Sequence, residues 1–126
     1  MSQLDAHQIY AMARGEVRKT ATDWGENTSA AETGVLKAGD TVSSCTAAIA
    51  TANMPTGATT LTLGSVTVPG TSTDVDGRTC TTGEWTQMTI TALSDQTYGQ
   101  YKVTLTAVTA NGETIKRNII VNVGSL

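Results

Sequence analysis

A chain of 126 residues with 25 threonines, no phenylalanine and two tryptophans must build its core from Val, Ile, Leu, Ala and Met, with threonine on the facing surfaces. β-Branched side chains are stiff at χ1 and pack well on a pleat, so this composition points to strands, in one domain with a modest core and a tail. A net charge of -3 without a basic cluster excludes nucleic acid as an expected partner, and no apolar stretch approaches the roughly 20 residues of a membrane helix.

The opening MSQLDAHQIYAMARGEVRK spreads charges among its apolar residues instead of setting a basic flank before an apolar block. It does not read as a secretory signal, and folding in a cytoplasm is expected. Ser2 with Asp5 has the spacing of a helix cap, and Ala6, Ile9, Tyr10, Ala13 and Val17 fall on one face at helical period, so the pattern predicts a helix over 2–14 that ends near Gly15. Residues 20–34, TATDWGENTSAAETG, are small and polar around Trp24 and read as a linker. The expected organisation is therefore an N-terminal arm over 1–32 and a β-sandwich over 33–126. A short helix is marginal alone, so its stripe has to dock, either on the chain's own sandwich or on a neighbouring molecule. Leu4, Ala6, Ile9, Tyr10, Ala13, Val17 and Trp24 are the candidate partner-binding residues of this arm.

From about residue 35 the pattern turns to strands. VLKAGDTVSSCTAAIATA holds a Gly-Asp turn and then a long extended run, which Pro55 and Gly57 break. In TTLTLGSVTV, Leu61 and Leu63 share one parity and Val66 and Val68 the other, a slip that predicts a bulge or bend at Gly64. WTQMTITAL puts Met88, Ile90 and Ala92 on one face. Short strands separated by turn signals imply two packed sheets.

The C-terminal run is the most regular. Tyr101, Val103, Leu105 and Ala107 share one parity, as do Ile115, Ile119, Val121 and Val123 on the return. A three-residue loop Ala110-Asn111-Gly112, with Gly112 left-handed, sets Val103 opposite Ile119 and Tyr101 opposite Val121; a two-residue Asn-Gly turn would set Leu105 opposite Asn118. The first register gathers the apolar set and is the expected one.

Residues suited to chemistry are few. The single histidine, His7, lies in the expected arm, the least anchored place for a catalytic base, so hydrolase chemistry is not expected. Asp74, Asp76 and Gly77 in TDVDGRT resemble part of a calcium loop but lack its remaining ligands and distal Glu, which favours an ordinary Asp-Gly turn. Cys45 and Cys80 lack the Cys-x-x-Cys spacing of a zinc or redox site; buried thiols are expected, with one inter-strand disulfide as the other outcome. The Asn27 glycosylation triplet reads as linker. Trp85 fits a sugar-stacking platform or a core residue against the opposite sheet, and Trp24 fits an anchor into a neighbouring subunit or local packing. No enzyme, cofactor or metal site is expected.

The order LKAGDTVSS, VTVPG and EWTQMTITALSDQTYGQYKVTLTAVTANGETIKRNIIVNV resembles the small Ig-like virion proteins of tailed bacteriophages known as fiber-tail adaptor proteins. The shared parts are Gly39 to Ser43, Tyr101 to Val108, Asn111-Gly112 and Lys116 to Val123, within residues 33–124. This resemblance implies an Ig-like sandwich acting without catalysis in a virion, assembled in the host cytoplasm, as a connector of tail and fiber. The partners it implies are tail, fiber or capsid subunits and further copies of the chain, with no nucleic acid and no membrane. An Ig-like domain with a docking arm also suits a capsid decoration protein, and a bacterial adhesion module is the third reading.

Overall fold

The computed structural model describes residues 8–25, 36–37, 39–70, 73–75, 78–80 and 82–125. Among these residues the chain forms β1 (Gln8–Met12), β2 (Val17–Asp23), β3 (Val42–Ile49), β4 (Thr62–Leu63), β5 (Thr73–Val75), β6 (Arg78–Cys80), β7 (Trp85–Thr91), β8 (Gly99–Thr109) and β9 (Thr114–Val123). One sheet has the order β1-β9-β8-β3 and the other β2-β7-β4, while β5 and β6 pair only with each other. The first pair, β1 with β9, is parallel; the other strand pairs are antiparallel. The two main sheets pack face to face as a β-sandwich.

Alternation decides which residues meet between the sheets. Tyr101, Val103, Leu105 and Ala107 of β8 and Ile119, Val121 and Val123 of β9 face Met88, Ile90 and Ala92 of the other layer, all in one buried cluster with Met12, Trp24, Leu36, Val42 and Leu61. The hairpin has the expected register, Val103 opposite Ile119 and Tyr101 opposite Val121. Its loop is Ala110-Asn111-Gly112: the Thr109 amide donates to the Glu113 carbonyl at 2.8 Å, the Gly112 amide to the Thr109 carbonyl at 3.0 Å, and Gly112 has φ 87. At that φ an L side chain is strained, which is why glycine closes the turn.

The slip at Gly64 is also present. Leu63 pairs with Ile90 and Thr67 with Gln87, so four steps along one strand match three along the other. The extra residue lets Leu61 and Leu63 on one side of it, and Val66 and Val68 on the other, all pack against the core.

The N-terminal segment differs from the expected helix and arm. Residues 8–12 are strand β1, paired residue for residue with β9 from Gln8 opposite Ile119 to Met12 opposite Val123, and residues 17–23 are β2, paired along β7. The strand divides the expected helical stripe: Tyr10 and Met12 point inward and Ile9 and Ala11 outward. The competing force is the edge of β9, whose backbone groups this segment satisfies while Met12 enters the core with no exposure. Between the strands a turn closes with Glu16 donating its amide to the Ala13 carbonyl at 3.2 Å and accepting the Ala13 amide on Oε1 at 2.9 Å. Gly15, expected at a helix end, sits in this turn, and residues 8–25 belong to the sandwich.

Candidate interaction surface

Two buried polar centres hold the loops. Tyr101, at the start of β8, donates its hydroxyl to the Thr97 carbonyl at 2.6 Å and accepts from Gln96 Nε2 at 3.0 Å. Gln96 Nε2 also donates to the Thr59 carbonyl at 2.6 Å, and Gln96 Oε1 accepts the Leu93 amide at 3.1 Å. Both amide hydrogens and the amide oxygen are used, so this buried side chain is satisfied and ties its own loop and the Thr59 segment to the start of β8. Nothing local marks Gln96 for this task, since its partner at Thr59 is far away in the chain.

Asp40 forms the second centre. Its Oδ1 accepts the Thr41 amide at 2.9 Å and the Asn111 amide at 3.1 Å, joining the turn before β3 to the β8–β9 loop, while the buried Oδ2 has no hydrogen-bond partner among the described residues. Burial pushes the carboxyl pKa up, but hydrogen bonding from the Thr109 hydroxyl and from the amides of Thr41, Asn111 and Ala110 outweighs it and holds the pKa below the ordinary value. The expected Gly-Asp turn is there, with the Asp40 amide donating to the Lys37 carbonyl at 2.9 Å. The carboxylate's second role was invisible because its partner lies 71 positions on.

The candidate binding stripe does not come together. Leu4 and Ala6 lie outside the described residues. Ile9, 67% exposed, stands on the outer face of the four-stranded sheet, whereas Val17, 62% exposed, stands on the outer face of the other, because it pairs with Thr91 in the outward parity of β7. Tyr10 points inward and packs on the core, and Ala13 is half-buried in the turn. Trp24 is no anchor for a neighbour: it is fully buried, and its indole Nε1 donates to Thr86 Oγ1 at 3.0 Å. Trp85 is buried too, but in the opposite parity from Met88 and Ile90, where it forms a small separate cluster with Ala21. The core position expected of Trp85 is thus taken by Trp24.

Cys45 is a free thiol, half-buried on the inward side of β3. Burial raises its pKa to about 11, against a smaller lowering by the Thr86 hydroxyl, so it is a poor nucleophile at neutral pH. Cys80 and Asp74 are placed by backbone pairing alone, Cys80 opposite Thr73 and Asp74 opposite Thr79. His7, Asn27, Asp76 and Gly77 lie outside the described residues. Among the described residues no three His, Cys, Asp or Glu side chains gather to hold a metal ion, and no helix is long and apolar enough to cross a membrane.

What the described surface offers is therefore sheet faces and strand edges. The outer face of the four-stranded sheet displays Ser44, Thr46 and Ala48 of β3 beside Thr104, Thr106 and Val108 of β8, with Thr104 Oγ1 bonded to Asn118 Oδ1 of β9 at 3.1 Å. No protein-family model matches this chain, and no curated protein matches it.

Proposed function

We propose that this chain is a non-enzymatic structural component of a tailed-bacteriophage virion, built on an Ig-like sandwich and joining tail to fiber. The strand arrangement supports the fold part of this reading. A sheet β1-β9-β8-β3 over β2-β7-β4, with the first strand parallel to the last and a buried Tyr101 bonded back to Thr97, supports an Ig-like reading of the sandwich, with Tyr101 in the place of a tyrosine corner. The segments that resemble the fiber-tail adaptor proteins fall on its key parts: Gly39 to Ser43 enters β3, Tyr101 to Val108 lies in β8, Asn111-Gly112 forms the loop and Lys116 to Val123 lies in β9. Fold alone does not define function, so the observation that carries the virion reading is the sequence resemblance of these segments.

With the stripe divided between two faces, attachment falls to the sandwich itself. Partners on this reading are tail, fiber or capsid subunits and further copies of the chain. The test is to localise a tagged copy by electron microscopy of purified particles. Density at the tail–fiber junction supports the connector; density over the shell replaces it with capsid decoration, and absence from particles overturns both.

A further inference from the structure

The edges of the two main sheets are not guarded alike. An unpaired strand edge is a template for another strand, and natural proteins blunt it by shortness, charge, proline or cover. β2 carries Arg18, Lys19 and Asp23, and β4 is two residues long. On β1, the Arg18 guanidinium donates to the Ala11 carbonyl at 3.3 Å. β3 is guarded less: its eight residues, VSSCTAAI, include no charge and no proline, and among the described residues only its first amide is covered on the open side, Val42 donating to the Gly83 carbonyl at 2.8 Å.

The free backbone groups of β3 can be named. Ala50 donates its amide to the Lys102 carbonyl of β8 at 2.9 Å, and alternation along an antiparallel ladder then turns Ala48, Thr46 and Ser44 toward β8. Cys45, Ala47 and Ile49 turn their N–H and C=O groups to the open side, where no amide of the three has a backbone partner among the described residues. The side chains of the same three residues point inward yet are only half-buried, and Ile49 borders an open apolar recess with Leu61 and Leu63. From Cys45 to Ile49 this edge is, among the described residues, both unpaired and incompletely covered.

We propose that β3 is a strand-addition site whose occupant is β3 of a second copy of this chain, antiparallel about a two-fold axis at Ala47. Self-complementarity selects this occupant: the open-side backbone groups of Cys45, Ala47 and Ile49 are symmetric about Ala47, so a second β3 matches them group for group, and the uncharged strand puts no like charges opposite each other in the ladder. The register follows from the free groups. With Ala47 opposite itself, Cys45 faces Ile49 of the other copy, so all three residues exchange hydrogen bonds and every side chain keeps its face. Axes at Cys45 or Thr46 would bring Ser43 into the ladder, within the register shift between Val42 and Ser44. The pairing makes one continuous eight-stranded sheet and lays each Ile49 beside the other copy's Cys45. It stands on the edge itself and does not depend on a place in a virion.

In this register Thr46 faces Ala48 of the other copy, and both side chains are exposed on the outer face in the single chain. The experiment is sedimentation equilibrium of the full chain over a concentration series, with the double variants T46K/A48K and T46E/A48E. The native chain is expected to pass from monomer to dimer. Each variant alone should dimerise more weakly by roughly two- to thirtyfold, because two like-charge pairs at about 0.2–1 kcal/mol each oppose the ladder. An equimolar mixture of the two should recover a dimer, and both variants should keep the native circular dichroism. A native chain that stays monomeric at its highest soluble concentration, a dimer indifferent to T46K/A48K, or a mixture no better than its components would each overturn the proposal. Localisation in particles is read separately, so the virion assignment and the β3 pairing fail independently.

Discussion

The C-terminal hairpin and the N-terminal strands enter the same core by opposite routes. β8 and β9 are joined by three loop residues, and their register follows from Gly112 and from the alternation of their own side chains. β1 and β2 have no such local partner: β1 lies along residues 119–123 and β2 along residues 85–91, both distant in the chain. The hairpin thus carries its own instructions, whereas the N-terminal strands take theirs from edges that exist only once the rest has folded. Stability differs accordingly, since removing the N-terminal pair leaves the hairpin's pairing intact but uncovers what it faces.

The largest expected effect tests that dependence. Removing residues 1–32 deletes β1, β2, Met12 and Trp24, and it leaves β7 with only the two-residue β4 beside it in its sheet. The truncated chain should lose its cooperative thermal transition or aggregate; a melt close to full length would show residues 8–25 to be the dispensable arm that their composition resembles. Next comes the hairpin. Val103→Asp or Ile119→Asp places a carboxylate at a site with no exposure and should abolish folding, while Thr104→Asp, on the outer face, should cost little. Equal melting temperatures for Val103→Asp and Thr104→Asp would break the assigned face.

A single residue sharpens the comparison further. Trp24→Ala removes a fully buried ring from the N-terminal side and leaves the Thr86 hydroxyl without its donor, an expected loss of about 3–5 kcal/mol in denaturant unfolding. A loss under about 1 kcal/mol, the range of surface changes, would return Trp24 to the role of an exposed anchor.

The smallest effect concerns the hairpin loop and pH. The folded pKa of Asp40 is held below its ordinary carboxylate value near 3.9, so its ionised form contributes stability that is fully present above that unfolded value. The contribution is lost as pH falls through the folded pKa. Melting temperature measured from neutral pH downward should fall less steeply below about pH 4 in Asp40→Asn than in the native chain, which starts more stable. Parallel curves would remove Asp40 from the link between the β3 turn and the loop.

What could be read along the chain was whatever neighbouring residues decide among themselves. The strand-rich composition, the Gly64 slip, the inward face of Met88, Ile90 and Ala92, the turn before Asp40 and the whole β8–β9 register belong to this class, because period and turn chemistry act within a few residues. The path of residues 8–25 belongs to the other. Ile9, Tyr10 and Ala13 satisfy a helical stripe on paper, yet a strand wins because β9 and β7 offer unpaired backbone and a core with room for Met12 and Trp24. The same reason hid the partners of Gln96 and Asp40, the exchange of roles between Trp24 and Trp85, and the open edge of β3. Each depends on contacts between segments far apart in the chain, and burial energy acts on neighbours in space, whichever stretch of sequence supplies them.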